Sequence, residues 1–561
     1  MKFSELVYTR PDAAELNARC EQFEREAREA KDFAALDKVF CAFDAYIEDG
    51  FFTDYTLMNI LRMEHTDNES YREELKYCGE ADIENEPYRK RAAAAILNNP
   101  FAPELDKKYG AYPLRRMREW ALGEEEPEEL KELKKREQVL CDEYNAVMDG
   151  IRVMYRGKLC SQHDISVDKD DKDDAIRWEA WRASGEGYDS VKEELDRIFD
   201  ELVHNRDAQA KKMGYKSYSD YSYKLKQRDF TRAEAETYRA AVVKYLVPLA
   251  EKLMHEQAER VGVEYPFSVA DNMPFRDGYP KPAGTTEQTL AEVIAIFREM
   301  SPETSEFIDF LTGNGFIDAE NRPNKGDTGF VEFIPRAKSP YLHSHPSGNI
   351  ADVNSFTHEG GHAFAGYMNR LEPVSWRRNY SSETAETHSQ SMELFFFPYE
   401  ERLFGADADR YRHSHVADSV TSISYMMLVD HFQHIVYDEP DMTPEQRHET
   451  FRELMKLYRP WVKLDDGIPC YGDGHFWHRQ PHIFLWPFYY IDYSLSEITA
   501  LEFFALAQKD PEEAWKRYVA FVKKGGTEDF VDLTRAAGLG SPFEEETVRL
   551  IGEQIGAWLD K

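Results

Sequence analysis

Three residues carry the clearest chemistry in this chain: His358, Glu359 and His362, set in the pentapeptide His-Glu-Gly-Gly-His. Residues four apart on an α-helix stand one above the other, so the two imidazoles share a face and can bind one metal ion. Glu359, between them, is placed to hold a water on that metal and to accept its proton. The run from Asn354 to Tyr367 reads as the helix that positions them. Phe356, Ala363, Phe364 and Tyr367 give it apolar faces, and Asn354 or Ser355 is its expected cap. Gly360 and Gly361 each cost a helix interior about 1 kcal/mol relative to alanine. Two in one turn predict a substrate or another helix pressed against that face.

A zinc site of this kind needs a third protein ligand and an open position for water. The segment Ser381 to Phe395 lacks proline and glycine and has helical periodicity. Glu383, Glu386, Gln390 and Glu393 form one polar stripe on it, with Leu394, Phe395 and Phe396 on the other side. The connection to the first helix is short enough for the two to pack. Glu386 is the expected third ligand. His343 and His345, at strand spacing, are alternative ligands.

His-Glu-Gly-Gly-His together with Glu386-Thr-His-Ser-Gln-Ser-Met-Glu393 resembles the thimet oligopeptidase and oligoendopeptidase F family of zinc metallopeptidases. The resemblance implies that His358, His362 and Glu386 bind one zinc ion per chain, that Glu359 is the general base and that Glu393 orients a ligand. It extends to Trp477–Tyr493, where the family has a histidine followed by several tyrosines that reach the substrate and the developing oxyanion. His482, Tyr490 and Tyr493 match those positions. Tyr490 and Tyr493 lie one helical turn apart, so their hydroxyls can converge, and a phenol donates a hydrogen bond without adding a full charge. Phe484 and Phe488 read as core, and Tyr489 stands between a core and a substrate-binding role. The stretch is similar to the oligoendopeptidase F branch, including the Pz-peptidase type. Trp486-Pro487 stands where the thimet branch has a glycine-rich loop. Upstream, Thr328–Ile334 reads as a short strand. By resemblance it is an edge strand that pairs with the substrate backbone, with Phe333 and His343 lining the cleft.

The expected fold is mainly α. The resemblance implies a large helical two-part shell around a deep substrate channel, with a small β-sheet beside the zinc helix and a gluzincin-like catalytic core. Helical spacing dominates from Pro11 to about Leu97 and from Glu126 to about Asp149, with a further strand signal at Ile151–Leu159. No linker, repeat or low-complexity tract divides the 561 residues. The acidic run Asp168–Asp174 suggests a seam between an N-terminal helical region, 1–190, and a catalytic region, 191–561.

A net charge of −35 argues against nucleic acid as a partner. It keeps the chain soluble and can draw cationic peptides toward a cleft. No apolar run is long enough to cross a membrane, and the first residues lack the apolar core of a signal peptide. The six cysteines are scattered without CxxC pairing; they read as free thiols of a reducing cytoplasm, none of them a metal ligand.

The expected function is zinc-dependent hydrolysis of internal bonds in short unfolded peptides, in the cytoplasm. Two alternatives use the same residues differently. A metallocarboxypeptidase would need a cation for the substrate's C-terminal carboxylate, for which Arg479 is a candidate. A di-iron carboxylate oxidoreductase would pair Glu359-Gly-Gly-His362 with Glu445-Gln-Arg-His448.

Overall fold

The structure, a computed structural model, describes residues 1–123 and 127–561. Helices dominate it, as the periodicity predicts, and the sheets are small. Glu126, the expected start of the second helical stretch, lies outside the described residues; the helix there spans Glu128–Gly150.

Two compact units make up the chain, and neither is contiguous. The first joins Met1–Glu124, Lys281–Ala408 and Glu502–Leu539; the second joins Glu125–Pro280, Asp409–Leu501 and Gly540–Lys561. This differs from the linear division expected at residue 190. The N-terminal helices are tied by side chains to the segment that carries His-Glu-Gly-Gly-His, far along the chain. Arg336 donates to the carbonyl of Asp49 at 2.9 Å and to the Asp54 carboxylate at 3.0 Å. Asn59 donates to Glu332 at 3.0 Å, and the Ser375 backbone N–H donates to Asp44 at 2.8 Å. Local caps start the helices: Asp12 accepts from Ala14 and Glu15, Asp32 from Ala35, and Asn68 from Ser70 and Tyr71. Their buried faces meet in a core that includes Phe23, Phe40, Phe43, Ile96 and Leu105.

The first unit also holds a three-stranded sheet. Strands β1 (Val153–Tyr155) and β2 (Lys158–Cys160) form a separate hairpin in the second unit, where the strand signal lies. In the first unit β3 (Ile317–Asp318), β4 (Phe330–Ile334) and β5 (Ser339–His343) pair in the order β3-β5-β4. β4 is therefore an edge strand, antiparallel to β5, with Phe333 opposite Pro340. The chain then enters the helix Ile350–Met368, which carries the pentapeptide, and the helix Ser382–Phe395, which carries Glu386. The first of these begins at Ile350, upstream of Asn354 and Ser355, the expected caps. Asn349 caps it by accepting from Ala351, and Asp352 holds the incoming turn through the backbone of Ser347 at 2.7 Å.

In the second unit, the helix Tyr490–Ala507 begins with the two tyrosines. Before it, Phe199, Trp477 and Phe484 pack ring on ring, with Tyr144 stacked 4.2 Å from Phe484. The core reading of Phe484 and Phe488 holds, since both are fully buried.

Candidate metal centre and active site

The glycine pair explains how the two helices of the first unit come close enough for their side chains to form one candidate metal site. A Cβ at Gly361 would lie 2.6 Å from the backbone carbonyl of His388 and 2.6 Å from Cα of Ser389. One at Gly360 would meet the Phe297 ring at 2.5 Å. Packed neighbours on both sides, one of them the backbone of the Glu386 helix, account for the sequence's tolerance of two helix-weakening residues. Tyr518 closes the junction by donating to the His388 carbonyl at 2.7 Å.

With the helices so close, His358, His362 and Glu386 converge. Glu386 Oε2 lies 3.4 Å from His358 Nε2 and 3.7 Å from His362 Nε2. One ligand atom from each falls within 4.8 Å of the others. Two imidazole nitrogens and one carboxylate oxygen make a donor set for a single divalent ion, with a position left open. Glu393 completes the arrangement. Its Oε1 accepts from His358 Nδ1 at 2.7 Å, which puts the ring proton on Nδ1 and leaves the Nε2 lone pair facing Glu386. Ser389 Oγ, 3.3 Å from Glu386 Oε2, steadies the carboxylate, a contact that helical spacing alone does not single out.

Electrostatics follow from this packing. Burial disfavours a charged His358, but the carboxylates of Glu386 and Glu393 outweigh it and push its pKa up. His362 makes no such hydrogen bond, so burial and the neighbouring His358 pull it down to about 4 against the weaker pull of Glu386 and Glu393. Burial works to raise Glu386, yet the imidazoles of His358 and His362 hold it below the ordinary value. Glu359 is raised to about 7 by burial, against the pull of His358 and with the push of Glu386 and Glu393. That is the range in which a carboxylate exchanges a proton at neutral pH.

The sheet reaches this centre directly. A Cβ at Gly329 would sit 2.7 Å from Ser355 Oγ and 3.3 Å from Glu359 Oε1, so β4 begins beside the candidate base. Phe333, the fourth of the five residues of β4, lines a cavity of about 500 Å³ together with Glu48, Gly366, Trp376, Arg378 and Tyr380. His343 departs from the expectation. It is wholly buried, stacked 4.6 Å from Phe330 and bonded through Nδ1 to the Thr328 carbonyl at 3.0 Å. It has no face left for a peptide and braces the edge strand instead. His345 is half-buried and does not join the ligand trio.

The second unit gathers the remaining candidates. Ring centroids of His482 lie 4.7 Å from Tyr490 and 6.2 Å from Tyr493, and Tyr489 packs 5.0 Å from Tyr493. Tyr489 is half-buried, so it belongs to this cluster rather than to the core. Two residues missed in the sequence set the histidine's proton. Tyr425 donates to Gln480 Oε1 at 3.2 Å, which turns the amide so that its NH2 meets His482 Nδ1 at 3.0 Å. With Nδ1 accepting, the ring N–H sits on Nε2. Burial, with Lys226 nearby, lowers the His482 pKa to about 4, and burial raises that of Tyr490 well above 10. Both are neutral donors at neutral pH.

Buried arginines hold this cluster in place. Arg206 donates to the Phe484 carbonyl at 2.6 Å and to Tyr437 at 2.8 Å, anchoring the short helix Pro481–Leu485. Arg228 bonds the Phe488 carbonyl and, at 2.7 Å, Asp492. These contacts hold Phe488 at φ 63°, a conformation rare for a phenylalanine, which turns the chain into the tyrosine helix. Spacing alone gave no sign of either arginine. Glu445 is exposed at a helix start capped by Thr443. Trp477 donates to His448 Nδ1 at 3.2 Å and Asp196 lies 3.1 Å from its Nε2, so both nitrogens of His448 are engaged within the second unit.

Peptidase family M3 matches residues 167–269 and 301–553, and the peptidase M3 N-terminal domain matches residues 3–119. The chain belongs to peptidase family M3. It is therefore a peptidase, of a metallopeptidase family. Oligopeptidase PepF of Bacillus subtilis (strain 168) is 24% identical over 208 residues, 36% of this chain and 30% of that protein's length. A crystal structure assigned as an oligoendopeptidase F superposes over 100% of this chain and 99% of its own, with a TM-score of 0.90 and 32% identity. Pz peptidase A, solved with an inhibitor, also gives a TM-score of 0.90, at 29% identity over 100% of this chain and 99% of that one. The described residues include no helix long and apolar enough to cross a membrane.

Proposed function

We propose that this M3 peptidase is a zinc-dependent oligoendopeptidase that cleaves internal bonds of short unfolded peptides. The observation that carries the reading is the convergence of His358, His362 and Glu386, with His358 oriented by Glu393 and Glu359 alongside. The donor set suits zinc, one ion per chain. When bound, the zinc ion supplies a Lewis acid that polarises the scissile carbonyl and makes a water acidic enough to react near pH 7.

The chain's own residues do the rest. Glu359 takes the proton from the attacking water and passes it to the leaving amine. His482 Nε2–H and the Tyr490 and Tyr493 hydroxyls donate to the oxyanion as charge forms on it. β4 presents an unpaired strand edge to an extended peptide, which suits recognition of backbone more than sequence. The Phe333 cavity gives room to a substrate side chain, and Tyr489 is a further substrate-binding candidate. The cytoplasm is the setting we assign, since all six cysteines are unpaired.

A defined mixture of peptides, digested and read by mass spectrometry, tests the proposal. Internal cleavage by wild type and none by Glu359→Gln supports it. Stepwise loss of C-terminal residues would replace it with the carboxypeptidase reading.

A further inference from the structure

We propose a second metal site, in the second unit, formed by Asp189, Cys470 and His475 and suited to zinc or a similar borderline ion. Asp189 closes the helix Asp174–Asp189, while Cys470 and His475 belong to the loop that leads to His482. One ligand atom from each lies within 4.8 Å of the other two. The set is a thiolate, an imidazole and a carboxylate, all of which zinc accepts; the peptidase trio, by contrast, contains no sulfur.

The ligand-directed observation is His475. Its ring is wholly buried, yet neither nitrogen makes a hydrogen bond. Its Nε2 lies 2.9 Å from Asp189 Oδ1, but the ring is not aligned for an N–H to point at that oxygen. A buried ring left unbonded on both sides is costly. An ion accepting the imidazole lone pair and the Asp189 oxygen removes part of that cost, since ligands of one tetrahedral ion approach each other at about 3–4 Å, given bonds of about 2.0–2.3 Å. Cys470 is buried and unpaired, and Asp189 is half-exposed, leaving an entry from solvent.

A neighbouring trio shows what an occupied-by-protein version looks like. Asp196, His448 and His478 are also close enough to hold an ion. There the Trp477 indole, a donor only, bonds His448 Nδ1 at 3.2 Å. His448 must then carry its proton on Nε2, which faces Asp196 at 3.1 Å. No lone pair of His448 is free for a metal. His475 has no such commitment.

Cobalt loading tests the site on the full chain. After equilibration with excess Co²⁺ and desalting, wild type should retain two ions per chain and show the near-ultraviolet charge-transfer absorption of a cobalt–thiolate bond. His358→Ala should lose one ion and keep that absorption. Cys470→Ser should lose one ion and the absorption, and Asp189→Asn and His475→Asn should each lose the same ion while folding is checked by circular dichroism. Absence of the thiolate band in wild type, or its persistence in Cys470→Ser, overturns the proposal. So does loss of the ion in His448→Asn but not in Asp189→Asn. Because the band needs sulfur, its outcome is independent of whether the His358 centre behaves as proposed.

Discussion

The candidate metal centre of the first unit and the aromatic cluster of the second are positioned by different means. His358, His362 and Glu386 owe their convergence to helix periodicity plus one tight helix contact at Gly361. A single carboxylate, Glu393, then sets the tautomer of His358. The cluster of His482, Tyr490 and Tyr493 has no such regular frame. It depends on a strained residue, Phe488, on two buried arginines and on an amide relay from Tyr425 through Gln480. Regular geometry places ligands with few partners; irregular geometry needs many, contributed from distant parts of the chain.

The largest test of this contrast is Glu359→Gln. It should lower kcat/KM by about 10²–10⁴ while the metal content, measured on the same preparation, stays unchanged. Loss of metal would show that Glu359 helps to hold the ion. Next comes Tyr490→Phe, which should reduce kcat by up to about 10²–10³ if the phenol donates to the oxyanion, with a smaller change in KM. Gln480→Leu should act in the same direction more weakly, because it frees the His482 tautomer without removing a donor; equal effects would mean that the relay is merely structural.

Glu393→Gln addresses the other side of the comparison. Metal affinity should fall about 10–100-fold, read by competition with a chelator, and excess metal should restore most activity. Gly361→Ala should destabilise the first unit by about 1–3 kcal/mol through overpacking against the His388–Ser389 backbone, measured by urea unfolding. A variant as stable as wild type would show that the helices can separate without cost.

The smallest effect concerns a carboxylate that lacks what Glu386 has. Glu48, in the N-terminal part of the first unit, is raised to about 7 by burial and by Asp44, which outweigh the opposing pull of Arg378 3.6 Å away. Its folded pKa exceeds the ordinary 4.5, so the folded state holds the extra proton between those values. Its contribution to stability is present below about pH 4.5 and is lost as pH rises through 7. Glu48→Gln should therefore gain on wild type as pH rises from 5 to 8, by about 1–3 kcal/mol; the 24% exposure of the side chain favours the lower end. Parallel urea midpoints of the two proteins at both pH values would show it. No pH dependence in the difference would mean that water reaches Glu48 freely.

Different parts of the molecule were legible to different degrees. The pentapeptide, Glu386 and Glu393 lie on two helices with strong periodicity, so their shared faces can be read from spacing. Helix content and the short strands at Val153–Cys160 and Phe330–Ile334 follow equally from local pattern. The start at Ile350 was hidden because Asn349, not Asn354 or Ser355, makes the cap. His343 matched a substrate role by position, but its burial against Phe330 is a tertiary fact. Cys470 carried no signal at all: its candidate partners, Asp189 and His475, come from a helix end and an irregular loop.

By itself the sequence determined which residues can do the chemistry and which of them share a helix face, because an α-helix converts spacing into direction with no help from the rest of the chain. Only the tertiary structure decided how those faces meet. It placed the N-terminal helices in the same unit as the metal centre, pressed the Glu386 helix onto Gly361, and gave His482 its tautomer through Gln480. The first of these outcomes depends on hydrogen bonds between residues hundreds of positions apart, and the others on close packing and on side-chain partners that no local pattern encodes.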